Sequence, residues 1–148
     1  MRITKEQHVP QWDTISRRTG NTIEARLDVA TSDPSTGEAL YLDVCVWTAS
    51  CNDPNTLRTR ALHDGRTAAD AAADKRRRYA RAGPALIPLA LESGGRPGED
   101  LVNFVRRCGA AWAATHDGDL SAYTRLWYEC STTLQSGNAE LILAAIGA

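Results

Sequence analysis

Along residues 22–30 the apolar side chains Ile23, Ala25, Leu27 and Val29 alternate with Glu24, Arg26 and Asp28. A period of two is that of a strand with one apolar face. The turn formers Ser32-Asp33-Pro34-Ser35-Thr36-Gly37 follow, and the alternation resumes over residues 39–47. Here Leu40, Leu42, Val44 and Val46 point one way and Tyr41, Asp43, Cys45 and Trp47 the other. The pattern predicts a hairpin in which Asp28 and Asp43 meet on one face, with Glu24 and Arg26 beside them.

Other periods surround this hairpin. Pro10, Trp12, Ile15 and Ser16, closed by Gly20, predict a short helix over residues 10–20. The loop Asn52-Asp53-Pro54-Asn55 opens a polar helix to about Leu62, and His63-Asp64-Gly65 ends it, with His63 as a capping residue. Thr67 is placed to cap an alanine-rich helix over residues 67–82, which Gly83-Pro84 stops. On that helix Ala68, Ala72, Lys75 and Tyr79 form one stripe, whose small residues permit close approach to a sheet, while Arg76, Arg77 and Arg78 point elsewhere. Residues 85–92 read as a buried strand in which Pro88 indicates an edge or a bulge. Amphipathic helices are predicted over residues 99–115 and 119–135, and residues 139–146 close the chain apolar. The order is that of an α/β domain, a small mixed sheet flanked by helices with extra helices at the C-terminal end. One unit is expected over residues 1–148, with a core over about 10–92 and a helical part over about 98–146.

Composition narrows the function. The 148 residues, 43% apolar and 24% charged, suffice for one core. No run of some 18 apolar residues is present, and the start lacks the apolar centre of a signal peptide, so the expectation is a chain neither secreted nor in a membrane. Cys45, Cys51, Cys108 and Cys130 show no CxxC and no Cys/His zinc spacing, which favours reduced, mostly buried thiols in a reducing compartment. Net charge is only −1, yet arginine outnumbers lysine fifteen to two, and residues 58–81 hold eight positive side chains against Asp64, Asp70 and Asp74. Where arginine is the default cation, a lysine such as Lys75 is a candidate for chemistry. No Ser/His/Asp order, P-loop or GxGxxG supports acyl transfer or nucleotide hydrolysis.

Two acids on paired strands, with a lysine brought in from a helix, suit a divalent-metal phosphodiesterase. Carboxylates hold the ion with water still attached, and an ammonium offsets charge in the transition state. The string Ala25-Arg26-Leu27-Asp28, fourteen residues, then Asp43 within Leu40-Tyr41-Leu42-Asp43-Val44-Cys45-Val46, carries a resemblance. So do Ala69 to Tyr79, Leu86-Ile87-Pro88-Leu89, Glu92-Ser93-Gly94-Gly95-Arg96, Leu134-Gln135 and Gly137-Asn138-Ala139-Glu140. Together they resemble the restriction-endonuclease-like domain, of the PD-(D/E)XK superfamily, found at the C-terminal end of certain non-LTR retrotransposon polyproteins. The resemblance spans roughly residues 22–146. It implies a nuclear endonuclease that nicks target DNA with Mg²⁺ or Mn²⁺ so that the 3′ end primes reverse transcription. It also implies the reverse transcriptase and zinc-knuckle regions of the parent polyprotein as partners.

On that basis Asp28 and Asp43 are the metal ligands, with Glu24 an additional candidate, and Asp28, Asp43, Lys75 and Tyr79 are the catalytic set. Arg26, Arg58, Arg60, Arg66, Arg76, Arg77, Arg78 and Arg81 are the candidate DNA contacts. Two departures stand out. Leu27 replaces the pattern's proline, and Cys45 stands where the superfamily's basic form has its lysine, so Lys75 is assigned that role. Rival readings are a DNA-binding module of the same fold whose chemistry has lapsed, and a domain docking on the polyprotein through Trp112, Trp127, Ile142 and Ile146. Trp47, Trp112 and Trp127 are assigned to the core or to such a surface.

Overall fold

The structure, a computed structural model, describes residues 4–16, 18–33 and 35–146, with the backbone alone at 141, 142, 145 and 146. Its strands are β1 (Thr4–His8), β2 (Thr14–Ile15), β3 (Thr22–Ile23), β4 (Arg26–Ser32), β5 (Ala39–Trp47) and β6 (Leu86–Glu92). Its helices are α1 (Pro54–Leu62), α2 (Arg66–Arg78), α3 (Glu99–Thr115) and α4 (Ser121–Ile146). The main sheet has the order β1-β4-β5-β6, with β1, β4 and β5 antiparallel and β6 parallel to β5. Parallel pairing needs a crossover, and α1 and α2 supply it. The α/β class and the small mixed sheet are those the sequence pattern predicts.

Several boundaries differ, each for a local reason. β1 has no counterpart in the pattern because Thr4-Lys5-Glu6-Gln7-His8 contains no apolar residue; it pairs antiparallel with β4 at the edge of the sheet. The helix expected over residues 10–20 does not form among the described residues. Pro10–Trp12 makes one 3-10 turn, after which β2 and β3 pair as a separate ribbon whose turn contains Gly20 at φ 71°. The strand expected over residues 22–30 is divided, because Asp13 Oδ1 accepts the Ala25 N–H at 2.7 Å and turns the chain between β3 and β4. α2 begins after Gly65, at φ 73°, and Thr67 is buried inside it rather than capping it. It ends at Arg78; Tyr79 leaves helical geometry and Ala80–Ala85 continue as 3-10 turns, with Gly83 at φ 55°. The two C-terminal helical segments are one helix, α4, in which Asn138 donates to the Ser93 carbonyl at 2.8 Å. The turn between β4 and β5 forms as expected around Asp33, whose Oδ1 accepts from Ser35 and Thr36; Pro34 lies outside the described residues.

Two buried clusters hold the sheet. Val9, Trp12, Ala25, Leu27, Tyr79, Ala82 and Leu86 form one, with Tyr41 against it. Cys45, Ala68, Ala71, Ala72 and Ala90 form the other, with Trp47 against it. The second works because alanine lets α2 lie close on the sheet. α3 closes in as tightly, since a Cβ on Gly98 would stand 3.3 Å from the Ala90 carbonyl oxygen and 3.4 Å from Ala68 Cβ. The apolar face expected for β5 is only half covered. Leu40 and Leu42 are buried, whereas Val44 and Val46 are 45% and 46% exposed on a groove of about 670 Å³ shared with Cys130 and Leu134 of α4. Pro88, fully buried beside Asp43, sits in the edge strand, where its missing N–H costs least.

Candidate active site

β5 lies between β4 and β6, so its central residue Asp43 is enclosed on both sides, and α2 covers it from above; Asp43 is 3% exposed. One turn before its end α2 carries Lys75, whose Nζ lies 2.6 Å from Asp43 Oδ2. The two side chains are 18% and 4% exposed. Apart from this ion pair, that buried oxygen has no hydrogen-bond partner among the described residues.

Asp28 is held differently. Continuing the register Val29↔Leu42 would set Asp28 opposite Asp43, but the described ladder stops one pair short. Instead Asp28 Oδ2 accepts the Val44 N–H at 2.7 Å, a short carboxylate replacing the backbone carbonyl a regular ladder would use. The irregularity extends to β1. Lys5↔Val29 and Gln7↔Leu27 pair on either side, while Glu6, level with Asp28, has φ 50°, a conformation strained for a residue with a Cβ. Asp28 thus stands on the open rim and Asp43 in the interior.

The electrostatics follow from these placements. Burial pushes the Asp43 carboxyl above the ordinary carboxylate range, Lys75 pulls it back, and the charge of Asp28 raises it further. Burial acts to lower Lys75, but the hydrogen bond and charge of Asp43 outweigh it, so the ammonium is held charged. The Cys45 thiol is raised, chiefly by burial against the opposing pull of Lys75, and stays protonated. Tyr79 is raised by burial and then by Asp43, so it remains a neutral phenol. Its hydroxyl lies 3.5 Å from the Arg26 carbonyl and its ring belongs to the core, which makes it a wall of the site rather than a group reaching into it.

The structure therefore brings Asp28, Asp43, Lys75 and Cys45 together. Glu24 is elsewhere engaged, its Oε2 accepting from Arg26 Nε at 2.8 Å on an exposed turn. The candidate arginines do not form one surface. Arg60 is a correction to the DNA-contact set: its side chain is 9% exposed, held 3.3 Å from Asp70 and 5.8 Å over the Trp47 ring, where it ties α1 to α2 and β5. Arg66 is paired to the same Asp70, Arg76 to Asp100 of α3 and Arg77 to Asp74. Arg58, Arg78 and Arg81 make no ion pair among the described residues, and Arg78 lies 6.0 Å over the Tyr79 ring.

Outside the site, His63 ends α1, donating its N–H to the Thr59 carbonyl. Trp112 is 39% exposed and stacks on His116; Trp127 packs edge-on against Tyr123; the side chains of Ile142 and Ile146 lie outside the described residues. Sequence reasoning missed Asp13, which binds both Ala25 N–H and His8 and so sets the entry into β4. No periodic signal marks it, because its partner is twelve residues away. Comparison with protein-family models, curated proteins and solved structures finds no match for this chain.

Proposed function

We propose that this domain is a divalent-metal-dependent DNA endonuclease of the restriction-endonuclease-like kind, and that it nicks target DNA for the insertion of a mobile element. The observation that carries the reading is the contact of Lys75 Nζ with Asp43 Oδ2 at 2.6 Å, beside Asp28, beneath a helix that covers the sheet. The buried carboxylate of Asp43, now paired with Lys75, and the second carboxylate of Asp28 offer the hard oxygen ligands that a divalent cation such as Mg²⁺ or Mn²⁺ takes. Among the described residues no group of three His, Cys, Asp or Glu side chains is placed to hold a metal. An ion at Asp28 and Asp43 would thus keep part of its water shell, the ordinary habit of Mg²⁺.

Such an ion supplies Lewis acidity toward a scissile phosphate and a nucleophilic hydroxide near neutral pH. The chain's own residues supply the frame. The Val44 N–H fixes Asp28 through one oxygen. Lys75 carries a charged ammonium into the neighbourhood of Asp43 and Cys45, where the protonated thiol contributes no charge of its own. From there its remaining N–H groups can meet a phosphate oxygen or an attacking water. Tyr79 positions the end of α2 through the core and the Arg26 carbonyl. DNA as substrate, the nuclear setting, and the reverse transcriptase and zinc-knuckle regions as partners belong to this same reading.

Plasmid nicking in Mg²⁺ or Mn²⁺ tests it. The parent should nick, EDTA should stop it, and Asp43→Asn should reduce the rate on the order of 10²-fold or more. Nicking by Asp43→Asn at the parent rate overturns the assignment. A second reading, a domain that docks on the rest of a polyprotein, is favoured by the exposed Leu126, Tyr128 and Leu143 of α4. It requires the parent to be inactive with any divalent ion, and light scattering to show self-association of the isolated chain.

A further inference from the structure

The β2–β3 ribbon takes no part in the main sheet. Thr14 pairs with Ile23 and Ile15 with Thr22, so each face presents one isoleucine and one threonine. Neither face is covered: Ile15 is 73% exposed and Ile23 42%, and both threonines are exposed. Backbone bonds close the ribbon beyond its two pairs. Ser16 donates its N–H to the Asn21 carbonyl at 2.9 Å, and its carbonyl accepts the Gly20 N–H at 2.8 Å. The base is anchored by Asp13, bound to Ala25 N–H and His8, and by Trp12, buried edge-on against Tyr41. A ribbon with one exposed isoleucine on each face, on a fixed base, is a candidate for contact with a partner.

Charge around the ribbon selects that partner. A groove of about 460 Å³ runs beside it, lined by Thr14 and Ile15 on one wall and by Arg77, Arg78 and Arg81 on the other. The one acid in that lining, Asp13, already accepts from Ala25 and His8. Arg18 in the turn, Arg78 and Arg81 make no ion pair among the described residues, and Arg77 is paired only with Asp74 on the exposed face of its own helix. The groove adjoins the candidate site, since Arg78 is followed by Tyr79, whose hydroxyl faces the Arg26 carbonyl two residues before Asp28.

We propose that the β2–β3 ribbon enters the major groove of duplex DNA with its Ile15–Thr22 face on the base edges, while Arg77, Arg78 and Arg81 hold the flanking phosphates. The major groove admits a two-stranded ribbon; a threonine hydroxyl pairs with base edges and an apolar side chain meets the thymine methyl. Arginine contacts to phosphate position the protein without reading sequence. This rests on DNA being the substrate, and it assigns base readout to a segment outside the catalytic residues.

The test is binding of the chain to a short duplex, followed by fluorescence anisotropy over a salt series, with protection of guanine N7 from dimethyl sulfate as the major-groove readout. Ile15→Ala with Thr22→Ala should lower affinity on the order of tenfold and abolish N7 protection, while leaving the salt slope and the thermal midpoint unchanged. Replacing Arg77, Arg78 and Arg81 by Ala should reduce the slope of log affinity against log salt by roughly 0.9 for each phosphate that is no longer neutralised. If the ribbon variant binds and protects like the parent, the ribbon lies off the duplex and this inference falls while the endonuclease reading stands. If the parent neither binds nor nicks DNA, both fall.

Discussion

α2 and α4 invert the usual relation between composition and burial. α2 reads Arg-Thr-Ala-Ala-Asp-Ala-Ala-Ala-Asp-Lys-Arg-Arg-Arg, yet Thr67, Ala68, Ala71 and Ala72 are buried against the sheet. α4 carries leucine, tryptophan and tyrosine along its length, yet leaves Leu126, Tyr128 and Leu143 36%, 71% and 50% exposed. α2 touches both β5 and β6, whereas the main neighbour of α4 is α3. The difference is one of side-chain size. Alanine brings the backbone of α2 close enough for a single long side chain, Lys75, to reach the interior of the sheet at Asp43. The bulky residues of α4 stand further out, and one neighbouring helix cannot cover them all. The buried Asp43–Lys75 ion pair therefore lies under the polar helix, and the uncovered apolar surface lies on the other.

The largest effect should come from the one residue that makes α2 more than a packing element. Lys75→Met keeps the stem and removes the charge. Single-turnover cleavage should fall on the order of 10²-fold, the scale of one preorganised electrostatic group. Mn²⁺ affinity, followed by titration without DNA, should rise instead, because Asp43 Oδ2 loses the cation that now occupies it at 2.6 Å. A loss of both cleavage and Mn²⁺ binding would make Lys75 a structural support for Asp43 rather than its competitor.

Next in size is the close approach itself. Ala71 is 0% exposed in the cluster around Cys45 and Ala90. Ala71→Leu inserts three carbons where α2 rests on the sheet and should destabilise the domain by roughly 1–3 kcal/mol. Chemical denaturation measures this directly, and an unchanged midpoint would mean that α2 is free to lift off.

The pH dependence of Lys75→Met comes third. The Asp43 carboxyl is raised in the folded chain, first by burial and also by the charge of Asp28, with Lys75 opposing both. Removing Lys75 raises it further. A group whose folded pKa is raised gives stability that is present below its unfolded pKa and is lost as pH rises through the folded value. The thermal midpoint of Lys75→Met should thus fall progressively relative to the parent's as pH rises from about 4 toward 7. A gap that is constant with pH would show that the loss is one of packing, not of charge pairing.

How far this arrangement can be read from sequence depends on whether its cause is local. The β4–β5 hairpin, the turn at Asp33, and the bounds of β5, α1 and α3 follow from periodicity and capping, which neighbouring residues determine. The stripe Ala68, Ala72, Lys75 survives because 3.6-residue spacing is a property of any helix. What escaped has distant causes. β1 carries no apolar residue and exists because β4 offers it an edge. The break between β3 and β4 is made by Asp13, twelve residues upstream of its partner. Arg60 looks like its neighbours in the basic run, yet Asp70 and Trp47 enclose it. The alternation of β5 is real, but which face is covered is decided by how far α4 extends over Val44 and Val46, and strand period holds no record of that.

The smallest effect on stability should fall on α4, and its size is what makes the comparison decisive. Tyr128 and Leu143 expose most or half of their surface, so Tyr128→Ser and Leu143→Ser remove little buried area. Surface substitutions of this kind usually shift stability by no more than about 0.5 kcal/mol, against several times that for Ala71→Leu. Light scattering at rising protein concentration measures a different quantity, the tendency of exposed apolar side chains to associate, which these two substitutions should reduce. A change in association without a change in folding would show that α4 displays its apolar residues as a surface. A loss of stability comparable to that of Ala71→Leu would show instead that α4 belongs to the core, and that the contrast with α2 is one of degree.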